Sequence, residues 1–161
     1  MNNNHNPETP TAMYNLAALY EKGGKYDQAE PLYVKCMELS KAVLGASHPD
    51  ALTTMNGLAG LYRKQGKYDQ AEPLYVECME LSKAVLGASH PDTLTTMYMF
   101  AGLNKRQGKY DQAEPLYVEC LELRKAKLGA SHPDTLTTMN NLAALYKSQG
   151  KYDQARNIIG K

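Results

Sequence analysis

The chain has 161 residues, of which 43% are hydrophobic and 22% are charged, and its formal net charge is +1. This composition is typical of a globular protein and excludes a disordered or collagen-like chain. The small net charge predicts no general attraction to nucleic acid or to a membrane surface.

The ends and the apolar runs of the chain carry no recognisable targeting or membrane signal. The start, MNNNHNPETP, lacks the basic and apolar regions of a signal peptide. The longest apolar runs, such as LAALY, are far shorter than the ~20 residues that a membrane span needs. We therefore expect a cytoplasmic protein without a membrane partner.

The sequence repeats itself. The word GKYDQAEPLYV begins at Gly24, Gly66 and Gly108, and a shorter form begins at Gly150, so the period is 42 residues. A fixed period of this size predicts a solenoid, in which each unit buries its apolar side against its neighbours. We predict a single array over 1–161, with repeats at about 7–48, 49–90, 91–132 and a partial fourth at 133–161.

Each repeat is predicted to contain two helices, A and B. Helix B of the third repeat is expected over 110–128, after a break at Gly108. Helix A of the fourth repeat is expected over 133–148. Its apolar residues follow the helical spacing: Leu136, Met139, Leu142, Ala143 and Tyr146.

The tripeptide His-Pro-Asp occurs three times at the same 42-residue spacing. In co-chaperones of the J-domain type this tripeptide is a functional loop, but such a loop would occur once. Here Gly129 is suited to ending helix B, and Pro133 fits the first turn of helix A, with Ser131 or His132 as its cap. Asp134 then lies where the helix dipole favours a negative charge. We interpret the tripeptide as the start of helix A.

The residues of each repeat resemble the tetratricopeptide repeat. The second repeat carries the pattern at Met55, Leu58, Ala59, Tyr62, Gly66, Tyr68, Ala71 and Tyr75. The 42-residue period, the LG-x-x-HPD linker and the AEPLY word resemble kinesin light chains and the sensor arrays of some NB-ARC immune receptors. The resemblance covers about residues 7–159. It implies an all-α, right-handed superhelical solenoid of antiparallel helix pairs.

Two departures from the pattern affect packing. The third repeat has Asn104 where the others have tyrosine, and Phe100 where they have leucine, so its packing is expected to differ. Helix B of the fourth repeat is short and ends with Ile158 and Ile159, which we expect to be exposed at an uncapped end.

The resemblance also implies a concave groove, lined by the A helices, that binds an extended peptide. By position in the repeat, its residues are Tyr14, Asn15, Asn56, Arg63, Lys64, Tyr98, Met99, Lys105, Arg106, Asn140, Asn141 and Lys147. Between the second and third repeats KYDQAEPLYVEC is unchanged, whereas MNGLAGLYRKQG becomes MYMFAGLNKRQG. Variation concentrated on helix A is expected if the groove has been adapted to a ligand. The alternative is random sequence drift after the repeats were duplicated.

The residue types in this groove suggest the chemistry of its ligand. Asparagine side chains can hold the backbone of an extended peptide. The lysines and arginines make one edge basic, which predicts a ligand with acidic residues or a free carboxylate. An aromatic or aliphatic anchor is expected near Tyr98 and Met99. The alternative is that the basic residues are solvated and offset the dipole at helix ends.

The cysteines and the known catalytic motifs give no indication of catalysis. Cys36, Cys78 and Cys120 occupy equivalent positions one repeat apart, too far for a disulfide or a shared metal, and we expect them to be packing residues. The chain has no glycine-rich phosphate loop, nucleophile elbow or pair of catalytic carboxylates. We therefore expect no enzyme activity, cofactor or metal.

Three other functions are alternatives to peptide binding. The chain could self-associate into a homo-oligomer through its uncapped end. It could be a ligand-sensing array cut from a larger receptor, such as an NB-ARC protein. RNA binding along the basic edge is disfavoured by the low net charge, so no nucleic-acid partner is expected.

Overall fold

The structure, a computed structural model, describes residues 9–160 and confirms the all-α fold. Within that range it has eight α-helices and no strand. The helices are α1 (Pro10–Lys22), α2 (Tyr26–Leu44), α3 (Pro49–Lys64), α4 (Tyr68–Leu86), α5 (Pro91–Arg106), α6 (Tyr110–Leu128), α7 (Pro133–Ser148) and α8 (Tyr152–Ile159). The helices expected over 110–128 and 133–148 coincide with α6 and α7. None of the helices in this part of the chain has both the length and the apolar character needed to cross a bilayer.

The linkers that lead into the A helices have the structure that their sequence predicts. Gly129 ends α6 with a φ of 93°, a conformation that favours glycine. His132 is the N-cap of α7, and its Nδ1 accepts a hydrogen bond from the Asp134 amide at 3.1 Å. The same cap occurs at the other two copies of the tripeptide. The interpretation of His-Pro-Asp as a helix start is therefore confirmed.

The chain forms two compact units, one ending at Val85 and the other beginning at Leu86. In the first unit α1 packs on α2, and α3 packs on α2 and α1. In the second unit α5 packs on α6, α6 on α7, and α7 on α8. These pairs are mostly helices adjacent in sequence. The grouping of residues 1–161 into a single domain stays a prediction.

The core of each unit depends on a small residue followed by a tyrosine on helix B. Ala29 and Ala113 are fully buried, which lets helix A approach closely. Four residues later, Tyr33 and Tyr117 are 2% and 1% exposed. Removing an aromatic side chain from such a core typically costs about 3–5 kcal/mol. The repeated AEPLY sequence therefore contributes mainly to the packing of the core.

The three cysteines are buried thiols, as expected for packing residues. The thiol of Cys36 donates to the carbonyl of Pro10 at 3.1 Å, and Cys120 makes the equivalent contact with Leu94 at 3.6 Å. Each thiol therefore contacts the first turn of helix A in its own repeat. Within residues 9–160 no group of three or more His, Cys, Asp or Glu side chains is placed to hold a metal ion.

The third repeat departs from the others at Asn104, as its sequence indicates. This side chain is fully buried, and its Nδ2 donates to the carbonyl of Phe100 at 3.1 Å. Its Oδ1 is buried without a hydrogen-bond partner among the described residues. The tyrosines at the equivalent positions, Tyr62 and Tyr146, each hydrogen-bond a glutamate of a B helix. Asn104 therefore leaves a buried polar atom unsatisfied.

Helix α8 is short, with 8 residues against 19 in α6. Ile158 is partly buried against the core of the second unit, whereas Ile159 is 48% exposed. The expected exposure thus holds for Ile159 and only in part for Ile158.

We predict that Asn104→Leu stabilises the protein. Leucine has a similar shape and no unsatisfied buried oxygen, so the free energy of unfolding should rise by about 1–2 kcal/mol. Urea unfolding of the variant measures this change. Asn140→Leu, at an exposed position of α7, is the matched control and should change stability little. A lower stability of Asn104→Leu would contradict the packing described.

Alkaline pH should destabilise the protein through its buried phenols. Burial, followed by the contacts with Glu114, raises the pKa of Tyr146 from 10.0 to about 12. Burial likewise raises the pKa of Tyr75 to about 12. The folded state holds these protons more tightly than the unfolded chain, so this stabilisation is complete below pH 10 and is lost as the pH rises toward 12.

Urea unfolding measured across this pH range should show the loss, and a variant with both Tyr75→Phe and Tyr146→Phe should show a smaller one. An equal loss in the variant would mean that other groups cause the alkaline destabilisation.

Candidate functional site

All the residues predicted for the groove lie on A helices. The first unit contributes Tyr14 and Asn15 from α1 and Asn56, Arg63 and Lys64 from α3. The second unit contributes Tyr98, Met99, Lys105 and Arg106 from α5 and Asn140, Asn141 and Lys147 from α7. All twelve are exposed or partly exposed. We call these two sets the first and the second A-helix surface, and their role in binding stays a prediction.

The first A-helix surface rests on Tyr33 and carries an ion pair. The ring of Tyr14 meets that of Tyr33 edge-on, with the centroids 5.8 Å apart. The Tyr33 hydroxyl donates to Glu21 Oε1 at 2.8 Å, and Lys64 Nζ lies 2.6 Å from Glu21 Oε2. Burial and the bond to Glu21 raise the pKa of Tyr33 well above its ordinary value. The charge of Lys64 is therefore offset within the protein.

Gly57 brings α3 close to the two tyrosines. A Cβ at this position would lie 3.1 Å from Cε1 of Tyr33 and 3.3 Å from Cε2 of Tyr14. These distances are shorter than ordinary van der Waals contacts, so both rings would have to shift. Glycine at this position therefore keeps the Tyr14–Tyr33 pair in place.

The second A-helix surface brings together two predicted residues, Tyr98 and Asn141. Asn141 Nδ2 donates to the Tyr98 hydroxyl at 2.8 Å and links α7 to α5. The ring of Tyr98 meets that of Tyr117 edge-on at 5.9 Å, as Tyr14 meets Tyr33. The guanidinium carbon of Arg124 lies 5.2 Å from the centroid of Tyr98. Tyr98 is therefore held on three sides.

The basic residues of the second surface have no acidic partners. Lys105 replaces Glu21 at the equivalent position of α5, and Ser148 replaces Lys64 on α7. Among residues 9–160, neither Lys105, Arg106 nor Lys147 forms an ion pair. Burial lowers the pKa of Lys105, which is only partly exposed. The second surface thus has three basic side chains without an acidic partner among the described residues, whereas the first has one, Arg63, because Lys64 is paired with Glu21.

Several glutamates of the B helices are instead occupied by lysines of the turns. Lys67 Nζ lies 3.4 Å from Glu30, and Lys151 Nζ lies 3.7 Å from Glu114. The glutamates also face the hydroxyls of Tyr62 and Tyr146. These two pairs connect helix B of one repeat to the next repeat.

Arg124 is the residue of this site that the sequence analysis missed. It is 7% exposed, and its Nη1 donates to Thr138 Oγ1 at 2.7 Å. It lies on α6, whereas the sequence comparison directed attention to the A helices. The sequence signal for Arg124 was a single difference between the repeats, because the equivalent residues in the first and second repeats are Ser40 and Ser82.

The sequence matches one protein family over most of its length. The family model for the tetratricopeptide repeat matches residues 8–84, 51–126 and 100–159. No curated protein matches the sequence significantly.

Solved structures share this fold at low sequence identity. Nearly identical TPR-like repeats from Podosopora anserina, assigned to a kinesin light chain, are 22% identical, with a TM-score of 0.87 over 96% of this chain and 74% of that one. BtubC (BKLC) from P. vanneervenii is 24% identical, with a TM-score of 0.87 over 94% of this chain and 60% of its own. The apo form of RapI is 12% identical, with a TM-score of 0.82 over 92% of this chain and 52% of its own.

These likenesses concern the fold, since the identities are low and the chain spans only part of each structure. Together with the family match and the 42-residue period, they agree with the eight paired helices. The chain belongs to the tetratricopeptide-repeat family, a protein-interaction fold, and its fold is similar to that of kinesin-light-chain-like repeats.

Proposed function

We propose that this chain is an interaction scaffold that binds an acidic peptide segment on its second A-helix surface. The observation that carries the proposal is the absence of ion-pair partners for Lys105, Arg106 and Lys147 among residues 9–160. A carboxylate of a ligand would supply the missing charge through charge-assisted hydrogen bonds. Arginine adds a planar, two-pronged donor suited to a carboxylate.

The same surface offers an anchor and hydrogen-bonding groups. Tyr98 and Met99 are adjacent and partly exposed on α5, so an aromatic or aliphatic side chain can pack beside them. Both hydrogens of Asn141 Nδ2 are used, by Thr137 and Tyr98, which leaves its Oδ1 to accept from a peptide N–H. Asn140 is exposed and can both donate and accept.

The first surface is proposed to contribute less to binding an acidic segment. Its Lys64 already pairs with Glu21 at 2.6 Å, so a ligand carboxylate would have to compete with an internal one. Tyr14, Asn15, Asn56 and Arg63 stay candidate contacts for the peptide backbone. A cytoplasmic location for this activity also stays a prediction.

Self-association is a second candidate, supported by two exposed apolar side chains of α8. Tyr152 is 60% exposed and Ile159 is 48% exposed. Concentration-dependent mass, measured by sedimentation, would favour this function, and Ile159→Ser should abolish it.

The experiment for peptide binding is selection from a displayed library of intracellular peptides. It is run on the protein, on a variant with Lys105→Glu and Arg106→Glu, and on a control with Lys35→Glu and Lys125→Glu. The control reverses two exposed charges on the B helices. We expect an acidic motif with one apolar residue on the protein and the control, and a loss of affinity of about tenfold or more on the variant.

Rising ionic strength should weaken this binding, because the contacts are between partly exposed charges. Enrichment of the same motif on all three proteins would contradict the proposal.

A further inference from the structure

The first unit contains a cavity of about 130 Å³ between α1, α2 and α3. Its lining includes Tyr14, Cys36, Ser40, Asp50, Thr53 and Thr54. The lining is more apolar than polar, and its polar groups where α2 and α3 meet include the hydroxyls of Ser40 and Thr54 and the first turn of α3. It lies beside Tyr14 of the first A-helix surface, but it was not part of the predicted site.

Ser40 gives this cavity an unsatisfied polar group. The residue is 1% exposed, and its Oγ has no hydrogen-bond partner among the described residues. Thr54 Oγ1 donates its hydrogen to the carbonyl of Asp50 at 3.0 Å and contacts Cys36 Sγ at 3.4 Å, so the hydroxyl oxygens of Ser40 and Thr54 can still accept from a ligand. A buried hydroxyl without a partner costs free energy, which a donor entering the cavity would recover.

The second unit shows what occupies the equivalent space there. Two repeats later in the sequence, Tyr98, Thr138 and Asp134 stand where the first unit has Tyr14, Thr54 and Asp50. Arg124 stands where the first unit has Ser40. The surroundings of the two positions are thus built from the same residue types.

The guanidinium of Arg124 makes three contacts with these surroundings. Its Nη1 lies 2.7 Å from Thr138 Oγ1 and 3.4 Å from the carbonyl oxygen of Asp134. Its carbon lies 5.2 Å from the ring centroid of Tyr98, within the range of a cation–π interaction. The second unit therefore contains an internal guanidinium site that is already filled.

We propose that the cavity of the first unit binds the guanidinium group of an arginine side chain supplied by a partner protein. Thr54 Oγ1 and the Asp50 carbonyl would accept from it, as their counterparts do from Arg124. The ring of Tyr14 would face the cation, and Ser40 Oγ would accept a further N–H.

The size and the charge of the cavity fit this occupant. A water needs only about 10–15 Å³ of such space, so 130 Å³ has room for the four heavy atoms of a guanidinium. The Asp50 carboxylate, 69% exposed, adds negative charge at the rim. Lysine should bind less well, because its ammonium is neither planar nor able to stack on a ring.

One difference between the units bears on specificity. Asn141, which donates to the Tyr98 hydroxyl, is replaced by Gly57 in the first unit. The Tyr14 hydroxyl forms no hydrogen bond with a described residue and can therefore bond the ligand. This site is independent of the acidic-peptide surface proposed above, since it lies in the other unit and takes the opposite charge.

The first test is a titration of the full chain with N-acetyl-arginine amide, followed by amide ¹H–¹⁵N chemical shifts. N-acetyl-citrulline amide, which has the same shape without the charge, and N-acetyl-lysine amide are the controls. We expect saturable shifts at Tyr14, Ser40 and Thr54 with arginine, and affinities lower by about tenfold or more for both controls. No saturable shift with arginine, or equal binding of citrulline, would overturn the proposal.

Two variants test whether the sites beside Ser40 and Arg124 are equivalent, one by filling the first site and the other by emptying the second. Ser40→Arg supplies the guanidinium from within and should abolish the arginine-dependent shifts of the first unit. Arg124→Ser empties the site of the second unit and should produce new saturable shifts at Tyr98 and Thr138. Because the second variant gains a signal, the test still works if Ser40→Arg does not fold. Failure of Arg124→Ser to gain arginine binding would contradict the proposed equivalence.

Discussion

The buried tyrosine of helix B is the contact on which both units depend. Tyr33 and Tyr117 are almost fully buried, yet their rings support Tyr14 and Tyr98, which reach the A-helix surfaces. A single residue type thus fills the core and forms the floor of the candidate site. A change of core packing at this position would therefore displace the residues proposed to contact a ligand.

The repeats use one scaffold to make two different surfaces. In the first unit Glu21 pairs with Lys64 and accepts from Tyr33, and a cavity lies beside Ser40. In the second unit Lys105 stands in the place of Glu21, and Arg124 in the place of Ser40. These two substitutions reverse the charge at one position of the second A-helix surface and fill the second unit's equivalent of the cavity, while the packing of α1 on α2 and of α5 on α6 is retained.

Features set by local sequence could be predicted, whereas those set by contacts between distant residues could not. Helix bounds and histidine caps follow from periodicity, proline and glycine, which act within a few residues. The Lys64–Glu21 pair joins residues 43 apart, and no pattern in the sequence specifies it. Arg124 was overlooked because a charged residue is expected on the surface of a helix, and only the fold shows that it is buried beside Tyr98.

We propose that the A helices carry the binding surface and the B helices the scaffold. Chemical-shift mapping on the isotope-labelled protein, with a peptide that has glutamates on both sides of one tyrosine, tests this division. We expect shifts in α5 and α7, centred on Tyr98, Lys105 and Asn140. Shifts confined to the exposed residues of α6 and α8 would contradict it, because they would place the ligand on the helices assigned to the scaffold.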